Sequence, residues 1–156
     1  MSTKKVILYY QTFTSLKPIL FPGTPVTHIH LSAIHFGIDS NKEFYIHLND
    51  HSPYDSVFNS VWNELEIAHN MGIKIVLMIG GAGSAYEQLF SDFETYYTLL
   101  YNLIKNKPII EGIDLDIEEE ISLDNIVSLI KRVRNDFDSK FLISTAPIQS
   151  SIESDV

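Results

Sequence analysis

The chain has 156 residues, 45% of them hydrophobic, no cysteine and a formal net charge of −9. That length and apolar content suit one domain, 1–156, with a real core, and they exclude the disordered class. With only 11 Lys plus Arg and no basic cluster, the charge repels phosphate backbones and anionic lipid, so nucleic acid is not an expected partner.

The opening MSTKKVILYYQTF holds the apolar run VILYY, which is too short for a signal h-region. Together with the lack of cysteine this makes the cytoplasm the expected location, with secretion left open for a trimmed chain. No stretch approaches the roughly 18 to 20 apolar residues of a membrane span, so no membrane partner is expected.

In chain order, the first β-rich run is Val6 to Tyr10 and the second Val26 to Ile34; the connection between them, Gln11 to Pro25, carries no clear signal. Glu43 to Leu48 reads as an extra strand in a long loop. Ser52-Pro53 then gives an N-cap and an N1 proline, ahead of an apolar stripe of Val57, Val61, Leu65 and Ala68 that ends at Met71-Gly72. Trp62 beside that stripe has the spacing of packing. A third strand covers Ile73 to Ile79. Ser91 and Glu94 form a capping-box pattern before Phe93, Tyr96, Leu100, Leu103 and Ile104, and Pro108 stops that helix. Tyr96, Tyr97 and Tyr101 read as its packing and rim. The fourth strand is Ile109 to Ile117. Ser122 caps a helix whose Ile126, Val127, Ile130 and Val133 face a core, and Phe141 to Ala146 is the fifth strand.

Alternating strands and helices predict parallel βα units in an α/β fold. A (β/α)8 barrel takes about 250 residues, or roughly 31 per unit, so this chain holds about five units. It is either a partial barrel or a complete open five-stranded sheet.

The stretch EGIDLDIEEE, 111–120, carries the chemistry. Side chains alternate across a strand, so Asp114, Asp116 and Glu118 share one face and Ile113, Leu115 and Ile117 the other. Acids on a strand of a parallel sheet are expensive unless the site uses them. They are expected to share one cavity, where like charges two residues apart raise at least one pKa and can keep Glu118 protonated as a general acid. The bland alternatives are a solvated edge strand, or the acidic start of the next helix, which suits Glu119 and Glu120.

Two other clusters weigh less. Gly80, Gly81 and Gly83 fail the dinucleotide fingerprint, because the third glycine position is Tyr86, and no Lys follows for a P-loop. His28-x-His30 could hold a metal, but no third ligand is placed nearby, so structural histidines are expected. Neither metal nor cofactor is predicted.

EGIDLDIEEE resembles the fourth-strand signature DGxDxDxE of family 18 glycoside hydrolases. VILYY at 6–10, THIHLSAIHF at 27–36, KIVLMIGGAG at 74–83 and FLISTAP at 141–147 resemble that family's first, second, third and fifth strands, in order. IHLND and MIGGAG suggest the fungal chitinase-like members. The resemblance implies a TIM barrel, here its first five βα units, acting on β-1,4-linked N-acetylglucosamine. It implies Glu118 as the acid that protonates the glycosidic oxygen, Asp116 as the carboxylate that orients the acetamide nucleophile, and Asp114 as the inner acid sharing charge with Asp116. It likewise implies that Tyr9 lines the cavity floor and that Gly80 and Gly81 let backbone pass close to the sugar. Glu111 replaces the family's first Asp, and Met78 stands where Ser is usual, so a hydroxyl that could bond the buried Asp is lost. A Tyr of the sixth strand and a Trp of the eighth have no counterpart in this chain. The expectation is therefore a glycosidase, or alternatively a carbohydrate-binding or inactive relative lacking the last three strands, which self-associates through unpaired edges and an apolar patch around Val6, Leu8 and Leu142.

Overall fold

The computed structural model describes residues 4–148; the remaining ends of the expected domain lie outside the described residues. Five parallel strands form one sheet: β1 (Ile7–Tyr10), β2 (His28–Ile38), β4 (Lys74–Gly80), β5 (Ile110–Asp116) and β6 (Leu142–Thr145), hydrogen-bonded in that order. A further strand, β3 (Phe44–Leu48), runs antiparallel on the long upper half of β2. The parallel strands follow chain order with no reversal, and the helix-packed core lies on one side of the sheet. A doubly wound sheet would reverse its order and cover both faces, so the arrangement is that of a partial (β/α)8 barrel.

The register sorts the strand residues into two layers. Ile29, Leu31, Leu77, Ile79, Ile113 and Leu115 belong to the core shared with helices α1 (Asn59–Asn70), α2 (Ala85–Ser91), α3 (Phe93–Asn106) and α4 (Leu123–Asp136). Their neighbours His30, Met78, Asp114 and Ser144 project to the inner face.

Helix starts differ from the sequence expectation. Ser52 does not cap the first helix; its Oγ accepts from Tyr54 N in a local turn, and the chain enters α1 through a 3-10 turn, Ser56–Phe58, capped by Asp55. Val57 is accordingly exposed, while Val61, Leu65 and Ala68 are buried and Gly72 (φ +88°) ends the helix. Ser91 closes α2, a helix the pattern concealed, and Asp92 caps α3 by accepting from Thr95 N. Asp92 wins because a carboxylate is the stronger acceptor. Ser122 occupies the N-cap of α4 without a side-chain bond, and Ile126, Leu129 and Val133 are the residues that α4 buries. Trp62 donates to Pro53 O and packs, and Tyr96 and Tyr97 are buried, as expected.

Glu111 pairs with Lys74 and lies 3.3 Å from His69 Nδ1, tying the start of β5 to β4 and α1. At Gly112 the two last strands approach so closely that a Cβ would lie 2.6 Å from Leu142 Cβ and 2.7 Å from its carbonyl. Gly112→Ala must therefore displace backbone, and is expected to cost about 1–3 kcal/mol, read as a lower urea midpoint.

Among the described residues β1 and β6 each pair on one side only. Val6 just before β1 and Ile7 and Tyr9 on it are exposed, whereas Leu8 and Leu142 are half-buried. An apolar edge of this kind invites strand pairing. The 156-residue chain by itself is expected to sediment as dimers or larger species at micromolar concentration, and a monomer throughout would refute this.

Candidate active site

Asp114 sits in the middle of β5 and is 1% exposed. With His30 and Ser32 it makes up the buried polar set among the described residues, and all three lie on inner-face positions. An isolated carboxylate there would cost several kcal/mol. Ser144 donates to its Oδ1 at 2.5 Å, Tyr9 donates to Oδ2 at 3.1 Å, and His30 Nδ1 lies 3.2 Å from Oδ2. These groups come from β6, β1 and β2. Burial pushes the Asp114 pKa upward, but the His30, Ser144 and Tyr9 contacts outweigh it and hold the group below its ordinary range. Tyr9, pushed up to about 12 by burial and by the charge of Asp114, stays protonated and able to donate.

Asp116, half-buried at the last position of β5, lacks such donors. Its pKa is raised by burial first, then by Glu118 and by Asp114. Glu118 follows two residues later and is exposed. The three acids form a line from a dry floor to an open rim, where the sequence predicts one shared cavity. The predicted raised carboxyl is found at Asp116.

Gly80 and Gly81 shape the wall beside that line. At Gly80 (φ +101°) a Cβ would lie 2.2 Å from Asp116 O, and at Gly81 (φ +84°) 3.6 Å from Asp116 Oδ2. Both conformations favour glycine, so the turn out of β4 lies against Asp116 and Gly81 N donates to its carbonyl. Beneath the turn the fully buried Tyr86 donates to Ile79 O.

His30 is buried, as expected, but it does more than fill space, since its ring faces the inner acid. His28 lies on the same face, 6.5 Å from His30 between ring centres, with Nδ1 2.8 Å from Thr27 Oγ1. Burial and the nearby Lys5 lower its pKa. No group of three or more His, Asp or Glu suited to a metal occurs among the described residues. Glu119 does not begin the following helix; its carboxylate accepts from Tyr86 N and Glu87 N and caps α2. Ser144 was invisible as a site residue, because only the β5–β6 register brings it beside Asp114.

Opposite shifts give opposite stability effects. Asp116 has a raised folded pKa, so its charge costs stability above that pKa and costs nothing below the unfolded value of about 3.9. Asp116→Asn is expected to stabilise at pH 7, with the gain vanishing below about pH 3.9. Asp114 has a lowered folded pKa, so it stabilises above about pH 3.9 and loses this as pH falls through the folded value. Asp114→Asn should destabilise at pH 7 by about 1–3 kcal/mol, because it removes the charge and turns an amide NH2 donor toward existing donors. Urea unfolding of both variants at pH 7 and pH 3 checks the signs.

Residues 5–155 match the model of Glycosyl hydrolases family 18. Among solved structures the chain is similar to a chitinase, ChiC, from Aspergillus fumigatus, at 34% identity over 91% of this chain and 54% of that one, with a TM-score of 0.82. It is also similar to a fungal endo-beta-N-acetylglucosaminidase from the same family, at 31% identity over 92% and 54%, with a TM-score of 0.79. A family 18 chitinase from Pseudoalteromonas aurantia shares the fold at 20% identity over 91% and 55%, with a TM-score of 0.68. No curated protein matches. The chain spans about half the length of these solved relatives. Matched along nearly all of its sequence and carrying the acid line on the fifth sheet strand in chain order, the chain belongs to glycosyl hydrolase family 18.

Proposed function

We propose that the chain carries the acids of a site that hydrolyses β-1,4-linked N-acetylglucosamine by substrate-assisted retaining catalysis. The observation that carries this reading is the graded line of Asp114, Asp116 and Glu118 running out through the carboxyl end of β5, the end at which barrels place their chemistry. Two relatives above 30% identity are a chitinase and an endo-beta-N-acetylglucosaminidase, which supports chitin or the chitobiose core of N-glycans as substrate.

In this mechanism Glu118, exposed at the rim, gives its proton to the glycosidic oxygen as the bond to the anomeric carbon breaks. The substrate's acetamide oxygen attacks that carbon and forms an oxazolinium ion, so no enzyme nucleophile is needed. Asp116 accepts the acetamide N–H and keeps the oxygen aimed. Its elevated proton affinity suits a group that must balance the charge of the ring-closed cation. Water then attacks the anomeric carbon, loses its proton to the Glu118 carboxylate and reopens the ring. Asp114 supplies a fixed negative charge beneath Asp116, with Tyr9 on the floor and Gly80 and Gly81 on the wall.

Carbohydrate binding without turnover is the second reading. It is favoured by the exposure of Glu118. Glu118→Gln separates the two. If the chain, alone or within a longer polypeptide, turns over a chitin oligomer, the variant is expected to lose at least the ~100- to 10,000-fold typical of general acid catalysis while still binding the oligomer. Comparable rates would place the acid elsewhere, and binding without turnover in the parent would favour the second reading.

A further inference from the structure

Asp114 has two neighbours in its own row of the sheet, Met78 on β4 and Ser144 on β6. They are chemically unequal. Met78 is 1% exposed and its sulfur accepts from Ser32 Oγ at 3.0 Å, so that flank offers Asp114 a thioether, which cannot donate. The opposite flank offers a hydroxyl at 2.5 Å, the shortest of the three approaches to the carboxylate. Tyr9 and His30 both address Oδ2, so Ser144 accounts for the described donation to Oδ1. Ser144 is held there by the close β5–β6 contact, where Gly112 admits Leu142 one inner-face position below.

We propose that Ser144 is the positioning residue for the inner acid: its hydroxyl fixes Asp114 from the β6 side and keeps it anionic beneath Asp116. A carboxylate with donors on both oxygens resists both protonation and rotation. Asp116, one inner-face position above, is then the group next to a permanent charge, consistent with the opposite directions in which the two aspartates are displaced. The groups facing Asp114 are Tyr9 from β1, His30 from β2, Asp116 from β5, Ser144 from β6 and Tyr86 from α2. Of these, Ser144 donates without being titratable itself, so it holds the bond across the working pH range.

This role rests on Asp114 being the inner acid of a hydrolytic site, but the bond is read without turnover. Carboxyl-carbon NMR of the full chain with labelled aspartate follows Asp114 through a pH titration, its resonance identified by its disappearance in Asp114→Asn. In Ser144→Ala the proton affinity of Asp114 is expected to rise about tenfold or more, the equivalent of losing one charge-assisted hydrogen bond. Ser144→Thr and Ser144→Val, nearly equal in shape, separate hydroxyl from packing should the alanine variant fold poorly. Thr is expected to keep the parent titration and Val to shift as Ala does. An Asp114 titration unchanged in Ala or Val, or a Thr variant that shifts with them, would overturn the assignment. Absence of turnover in the parent chain would count against the proposed activity and leave this measurement standing.

Discussion

The inner face of the sheet is organised around one carboxylate that has almost no access to water. Asp114 cannot be left unpaired there, because a lone buried anion would neutralise itself or unfold the strand. Its partners come from β1, β2 and β6, so charge satisfaction at a single residue fixes the mutual placement of strands far apart in sequence. A slip of one residue in any of these pairings would turn Tyr9, His30 or Ser144 to the helix-packed face and strip the acid of a polar neighbour. Register and site are one constraint.

The glycines serve the same end by bringing backbone close. Gly112 lets β6 reach β5, which delivers Ser144 to Asp114. Gly80 and Gly81 let the turn out of β4 fold against Asp116. A side chain at Gly112 or Gly80 would push apart the backbones that the carboxylates need together, while at Gly81 it is the positive φ that favours glycine. Glu119 extends the arrangement outward, since by capping α2 it pins the loop that follows β5 to the helix that follows β4. The exposed Glu118 is thus carried on a loop anchored at the next residue.

Much of the framework was legible because it follows local rules. The five parallel strands appear as apolar runs near their observed positions, and the alternation across 113–118 places the acids on one face without tertiary information. The choice between open sheet and barrel was not legible in length and periodicity, which suit both; the resemblance of the strand motifs pointed to the barrel, and the strand order bears it out. The helix starts were misread where two candidate caps lie close together: Ser91 and Asp92 are adjacent, and Ser52 is three residues from Asp55. His30 and Ser144 carry no local mark of a site. Each is a common residue on a strand, and its role exists only through a partner 84 or 30 positions away in the chain, as their contacts with Asp114 show.

The geometry of a strand leaves little freedom in where its acids stand: alternate residues repeat at about 6–7 Å, whatever the sequence. Differences among Asp114, Asp116 and Glu118 must therefore come from their surroundings. Burial falls along the line while the supply of donors falls with it, so the driest group is the one held ionised and the middle group is the one pushed toward the proton. Desolvation alone would raise the deepest acid most. The order of the two aspartates is inverted because hydrogen-bond donors crowd the floor and are missing one step higher, which puts the aspartate pushed toward the proton next to the exposed rim.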